Sequence, residues 1–200
     1  MVRMGEELAH EDVFAGLAAR YRSLRKLTDE LSAPLSPEDQ TVQSMPDVSP
    51  TKWHRGHTSW FFETFLLAQA LEDYRAYDPS FAYLFNSYYE ALGPRHVRHE
   101  RGLITRPGAD EVGRYRRPVD DAPELLDLGI HHEQQHQELL LMDIKHVLSC
   151  NPFQPAYQLE TLTPPAGASG GASEPGWLSH EGGLVEIGHD GLGFAFNNEG

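Results

Sequence analysis

Cysteine occurs once, at Cys150, so the chain cannot form an internal disulfide framework. No base or cation stands beside that thiol in the sequence, which reads it as structural or incidental. Positive charge is also scarce. Sixteen Lys and Arg face 30 Asp and Glu, a net charge of −14, and the isoelectric point is near 5.1. That balance argues against a protein that tracks nucleic-acid phosphates and against attachment to an anionic membrane surface. Long apolar runs are missing too. None reaches the ~18 residues that a membrane span needs, and Met1 to Glu11 lacks the apolar centre of a secretory signal. These absences point to a soluble, cytoplasmic protein that handles small molecules, with no nucleic-acid or membrane partner. At 200 residues the chain has room for one good core and a short second module.

Histidine, by contrast, is abundant, with 11 in the chain. The densest stretch runs from Ile130 to Asp143 and reads Ile-His-His-Glu-Gln-Gln-His-Gln-Glu-Leu-Leu-Leu-Met-Asp. On a helix, His132 and His136 project from one face about a turn apart, a spacing that lets two imidazoles grip one ion. Gln135 is expected on the same side, with Leu128, Leu139 and Leu140 extending the flank, so the clamp is predicted to face inward. Burying such polar groups unpaired costs roughly 1–3 kcal/mol each, and a metal would remove that cost. His132 to His136 also spells H-E-x-x-H, the zinc-protease motif in which the glutamate is the general base. No downstream histidine stands at the spacing expected of a third ligand for that motif, and proteolysis is the minor reading.

Taken in order, Glu11–Leu31 carries Phe14, Leu17, Tyr21, Leu24, Leu27 and Leu31 at helical spacing. Pro34 and Pro37 end that helix, and Leu35–Val48 reads as an extended connection. Ser49-Pro50 looks like a capping serine followed by a first-turn proline, opening a second helix over Trp53–Tyr74. On it His57, Phe61, Thr64, Ala68 and Leu71 share a stripe. His57 is the preferred third ligand, with His54 the alternative, since Lys52 and Arg55 flank the latter. Ser80–Leu92 reads as a short aromatic helix lined by Phe81, Leu84, Phe85 and Tyr88. The basic segment Arg95–Arg101 is a candidate to hold a substrate carboxylate. Ala109–Asp121 is weakly helical because of Gly113 and Pro118, and Ala122–Ser149, with Pro123 in its first turn, is the clamp helix. The fold class expected is mainly α, a four-helix bundle with its site between facing helices, over residues 1–158. A Pro/Gly/Ser-rich linker is expected over 159–181, and a short incomplete β segment over 182–200. Three imidazoles suit zinc or iron(II) equally, so spacing leaves the metal open.

Several motifs carry a resemblance. Gln43-Ser44-Met45-Pro46, Ser49-Pro50-Thr51-Lys52-Trp53-His54, His57-Thr58-Ser59-Trp60-Phe61-Phe62-Glu63, Phe85-Asn86-Ser87-Tyr88-Tyr89 and His132 to Leu139 stand in order along the chain. Together they resemble the iron(II)-dependent sulfoxide synthases of ergothioneine biosynthesis, the EgtB family or hercynine oxygenases. The likeness covers about Leu35–Tyr157, the DinB-like helical domain. It resumes at Gly182–Glu199, which is similar to the opening of a formylglycine-generating-enzyme-like domain. It implies that His57, His132 and His136 bind Fe(2+), that Gln135 contacts the imidazole substrate, and that Arg95 or Arg98 holds the sulfur donor's carboxylate. The implied reaction joins hercynine to γ-glutamylcysteine or cysteine, with dioxygen, to form a C–S bond and a sulfoxide. The family's second-domain catalytic tyrosine is absent from these residues, Asn197 stands where the family reads Asp, and the Val119–Leu125 segment is shorter. The chain is therefore expected to be the metal-binding part, weakly active or inactive by itself. A zinc-dependent DinB-like thiol transferase or isomerase and a non-catalytic metal-binding module are the competing readings.

Overall fold

The computed structural model describes residues 2–116 and 126–158, with 177, 179, 181–184, 188, 189, 192 and 194–196. The chain divides into two compact units, Met1–Leu159 and Glu160–Gly200. Among the described residues it is mainly helical and contains no strand. The linker and β segment fall largely outside the described residues, as do Pro123 and the end of the weak helix after Arg116.

Helix α1 (Val2–Ser32) is longer than the periodicity indicates. Tyr21 and Leu24 are buried as expected, but Leu27 is exposed, while Arg25 and Thr28 are buried instead. Pro34 follows, and the turns from Ala33 to Val48 return the chain to α2 (Thr51–Phe62). Ser49 is not the cap. Pro50 occupies that position with no side-chain hydrogen bond, and the Ser49 N–H is instead bound by Asp143 Oδ2 at 2.7 Å.

All 12 residues of α2 are buried, Lys52 and Arg55 among them, so this helix lies at the centre of the unit. It then widens into a π-helical turn, Glu63–Leu67, and ends with a single α turn, α3 (Ala68–Ala70), short of the expected Tyr74. A π turn inserts a residue into the helical ladder and rotates everything after it. Buried positions consequently pass to Glu63 and Leu66, while Ala68 and Leu71 of the expected stripe are exposed. The Glu63 carboxylate accepts bonds from Tyr74 Oη (2.8 Å), the Tyr77 N–H (2.7 Å) and Tyr115 Oη (2.6 Å), which compensates its burial. The two phenols are held protonated, above their ordinary range, by burial first and then by that carboxylate.

The aromatic helix is shorter than expected. Helix α4 spans Phe81–Phe85, followed by a 3-10 turn at Glu90–Leu92, and Tyr88 is left exposed. A second 3-10 turn covers Arg98–Leu103, α5 is Ala109–Tyr115, and α6 is Leu126–Cys150. Helix α6 packs against both α1 and α2, while α4 and α5 pack on α2. Trp53, Trp60, Phe61, Phe81, Phe85, Val112 and Tyr115 form one apolar cluster. Tyr21, Leu24, Phe62, Leu66, Leu126 and Ile130 form a second, where α1, α2 and α6 meet.

Two glycines permit close approach. A Cβ at Gly129 would enter the Phe62 ring, and one at Gly56 would enter the Phe85 ring. The first lets α6 lie directly on α2, and the second lets α4 do the same from the other side. Those two contacts set the distances at the site.

Candidate metal centre

His57 lies in the middle of α2, and His132 and His136 lie one turn apart on α6. Across the α2–α6 contact, one ring nitrogen of each falls within 4.8 Å of the others. His57 Nε2 and His132 Nε2 are 3.2 Å apart. Two nitrogens bound to one ion at about 2.0–2.1 Å and a bond angle near 90–109° would lie about 2.9–3.4 Å apart, so that spacing fits a shared ion. The three ring centroids are 4.6–5.0 Å from one another.

The tautomer of His57 follows from its partner. His57 Nδ1 is 2.6 Å from the Phe85 carbonyl, which can only accept, so Nδ1 carries the proton and Nε2 a lone pair. His57 is also stacked on Trp53, with centroids 4.8 Å apart, and on Trp60 at 5.6 Å. Those rings fix its plane. His132 packs against Phe61 at 4.3 Å, and its buried Nδ1 has no protein partner. His57 and His132 are buried, and His136, half-buried as a residue, still places its imidazole among the buried groups of the cluster.

Burial dominates the protonation of all three. It pulls His132 down to about 4, opposed by the Glu133 charge. His57 and His136 are also held well below the usual imidazole value, by burial first and then by the neighbouring imidazoles. At neutral pH the three rings are therefore uncharged, the form in which imidazole binds a metal. With three neutral imidazoles gathered in a buried site and no carboxylate or thiolate among the donors, the residues fit a divalent transition metal.

Glu133, the potential general base of the H-E-x-x-H spelling, is turned away from the cluster. It is fully buried, with Oε2 2.9 Å from Arg25 Nη1, and Oε1 2.7 Å from Thr28 Oγ1 and 3.0 Å from Arg116 Nη2. Burial alone would raise its carboxyl, but the Arg25 and Arg116 guanidiniums outweigh it and hold the group at about 2. A carboxylate committed to two guanidiniums cannot take a proton from a metal-bound water. The protease reading fails on that geometry.

Gln135 and Leu128 are exposed, not inward. The buried seam of α6 runs through Ile130, Glu133, Gln137, Leu140, Ile144 and Val147, so its centre is the Glu133 row. His132 and His136 sit at its edge, and Gln135 is ~200° round the helix from Glu133. Arg98 is exposed and donates to the Asp47 carbonyl and to Tyr88 Oη, and Arg95 is half-buried. The buried member of that basic segment is Arg101. Its guanidinium lies 3.3 Å over the Trp53 ring and donates to Ser49 Oγ (2.8 Å) and Ser87 Oγ (3.2 Å). Burial first, then Arg98, draws it down to about 9, still charged at neutral pH.

Two further residues adjoin the site: His54, the alternative third ligand, and Asp143, which the sequence does not single out. His54 is only 3% exposed, although Lys52 and Arg55 flank it, because both of those cations are themselves buried. Its Nδ1 is 2.9 Å from His136 Nδ1, and its Nε2 is 2.9 Å from Asp143 Oδ2. The available signal was Asp143, seven residues after His136 and hence on the same helical face. A surface groove of about 490 Å³, lined in part by Leu141, Ile144, Leu148, Pro155 and Tyr157, lies further along α6 and has no imidazole in its lining. Among family models and curated proteins, none matches the chain.

Proposed function

We propose that this chain is the iron(II)-binding helical part of a sulfoxide synthase of the ergothioneine type, with a DinB-like bundle formed by α1, α2, α5 and α6. The reaction is O2-dependent C–S bond formation between hercynine and γ-glutamylcysteine or cysteine. One observation carries the reading: three neutral, buried imidazoles, His57, His132 and His136, converge from two helices with nothing else in the donor set. The order of motifs along the sequence supplies the choice of chemistry. Fe(2+) held there would provide a redox-active centre with positions left for exogenous ligands. The chain's own contribution is positional. Phe85 and the two tryptophans hold the His57 ring, and the apolar surroundings exclude water. Gln135, next to His136, is assigned to the imidazole substrate, and Arg95 or Arg98 to the donor's carboxylate.

The same nitrogens suit zinc, which keeps a DinB-like thiol transferase or isomerase as the second reading. Anaerobic purification followed by metal analysis separates the two. The expected result is one iron per chain, a nitric oxide adduct with an EPR signal, and a change in that signal when γ-glutamylcysteine and hercynine are added. Tight zinc binding with thiol transfer and no response of an iron adduct to thiol would replace the first reading with the second. Failure of iron, zinc and cobalt alike to bind would remove both.

A further inference from the structure

At His136 a line of three groups runs from α6 through α2 and back to α6. His136 Nδ1 is 2.9 Å from His54 Nδ1, and His54 Nε2 is 2.9 Å from Asp143 Oδ2. That carboxylate oxygen also accepts the Ser49 N–H at 2.7 Å, which anchors it from the loop before α2. His54 and Asp143 are 3% and 6% exposed. Nothing in the implied chemistry of the site uses either residue, and burying an Asp–His pair has a cost that a purely apolar contact would avoid.

We propose that Asp143 and His54 are positioning residues that set the tautomer of His136 and strengthen it as a metal ligand. This rests on the metal reading above. A carboxylate accepts, so His54 Nε2 is the donor, and a singly protonated His54 then offers a lone pair at Nδ1. A hydrogen bond between two Nδ1 atoms needs one proton, which His136 must supply. His136 is thereby protonated at Nδ1, and its only lone pair is on Nε2. Without the relay, His136 could take either tautomer, and one of them has no lone pair for the ion. Outer partners of this kind orient ligating histidines and raise their basicity. His57 has the same arrangement with a simpler partner, the Phe85 carbonyl. His132 has none, since its Nδ1 is unpaired. The three ligands are therefore secured unequally: α2 supplies the group that secures His136, and the last residue of α4 the one that secures His57.

The test uses cobalt(II) as probe and the whole chain. In Asp143→Asn the shape and one acceptor are kept but the charge is lost, and in His54→Phe the acceptor for His136 is lost. Cobalt affinity is expected to fall by roughly 10–100-fold in each, with the ligand-field bands displaced, while Ser44→Ala, whose hydroxyl pairs with His146 outside the cluster, leaves both unchanged. If wild-type protein binds cobalt and both variants match it in affinity and band position, the relay is overturned and the metal site stands. If wild-type protein binds no cobalt, the metal reading and the relay fall together. A measurement without substitution guards against variants that do not fold. In 15N-labelled wild-type protein without metal, a coupling across the Nδ1–H···Nδ1 bond and shifts marking a protonated His136 Nδ1 are expected. A His136 protonated at Nε2, with His54 donating as an imidazolium, would overturn the proposal.

Discussion

Glu133 has no exposed surface and touches two guanidiniums and a hydroxyl, so its removal would be felt throughout the interior where α1, α2 and α6 meet. Glu133→Gln leaves Arg25 buried without its paired carboxylate and Arg116 with Asp29, 2.8 Å from its Nε, as the remaining anion. Breaking a buried pair in this way costs roughly 3–5 kcal/mol, and denaturant unfolding should show a lowered midpoint of that size. A general base would behave differently, losing activity at unchanged stability. The pH dependence has the same physical origin. In the unfolded chain His132 takes up a proton near 6.5, but in the folded chain only near 4, so acid favours unfolding. Its contribution is complete above 6.5 and is lost as pH falls through about 4. Glu133, held at about 2 against an ordinary 4.5, adds a second loss below 4.5 that ends near 2. Urea midpoints of metal-free protein measured from pH 8 to 4 should fall mainly below 6.5, and a flat profile would mean that the imidazoles take up protons as readily in the folded chain as in the unfolded one.

At the scale of elements, the α2–α6 contact decides whether the site exists, and Gly129 sits in that contact against Phe62. Gly129→Ala should push α6 away from α2 at a cost of about 1–3 kcal/mol, despite the better helix propensity of alanine. Metal affinity should fall with it, since His132 is three residues on. Calorimetric unfolding together with a cobalt titration checks both, and an alanine variant as stable as the parent would show that the helices can separate without loss. The same contact explains what could be read from sequence. His57 lies before the π turn, where 3.6-residue spacing still holds, so counting from Phe61 found it. Thr64, Ala68 and Leu71 lie in or beyond that turn, and the extra residue moved burial to Glu63 and Leu66. On α6 the metal pair was legible from its four-residue spacing, but the centre of the buried face was misplaced by about a hundred degrees, roughly one residue. A rule that sends glutamate outward cannot anticipate Glu133 as the anion for Arg25 and Arg116. Likewise, cations flanking His54 suggested solvent, when Lys52 is in fact buried and donates to the Pro107 carbonyl.

For the molecule as a whole, the acidic composition understates the acidity of the surface. Among the described residues Arg25, Lys52, Arg55, Arg101 and Arg116 are buried, against the carboxylates of Glu63, Glu133 and Asp143. The exposed side chains are left more negative than the net charge of −14 suggests, and such a field gathers divalent cations loosely wherever carboxylates cluster. A specific ion at His57, His132 and His136 can be told from that background because it ties α2 to α6 and its donors are neutral. Binding to the folded state alone at a hundredfold excess over the dissociation constant is worth roughly 2.7 kcal/mol, which for a unit of this size corresponds to roughly 5–10 °C in Tm. Chelation should remove that increment and re-addition should restore it. The increment should persist at about 0.5 M salt, where interactions with exposed carboxylates are screened. In His57→Ala the increment should vanish, because two imidazoles from one helix no longer join it to its neighbour. A metal-induced rise that is equal in parent and variant, or that salt abolishes, would place the ion on the acidic surface rather than among the three imidazoles.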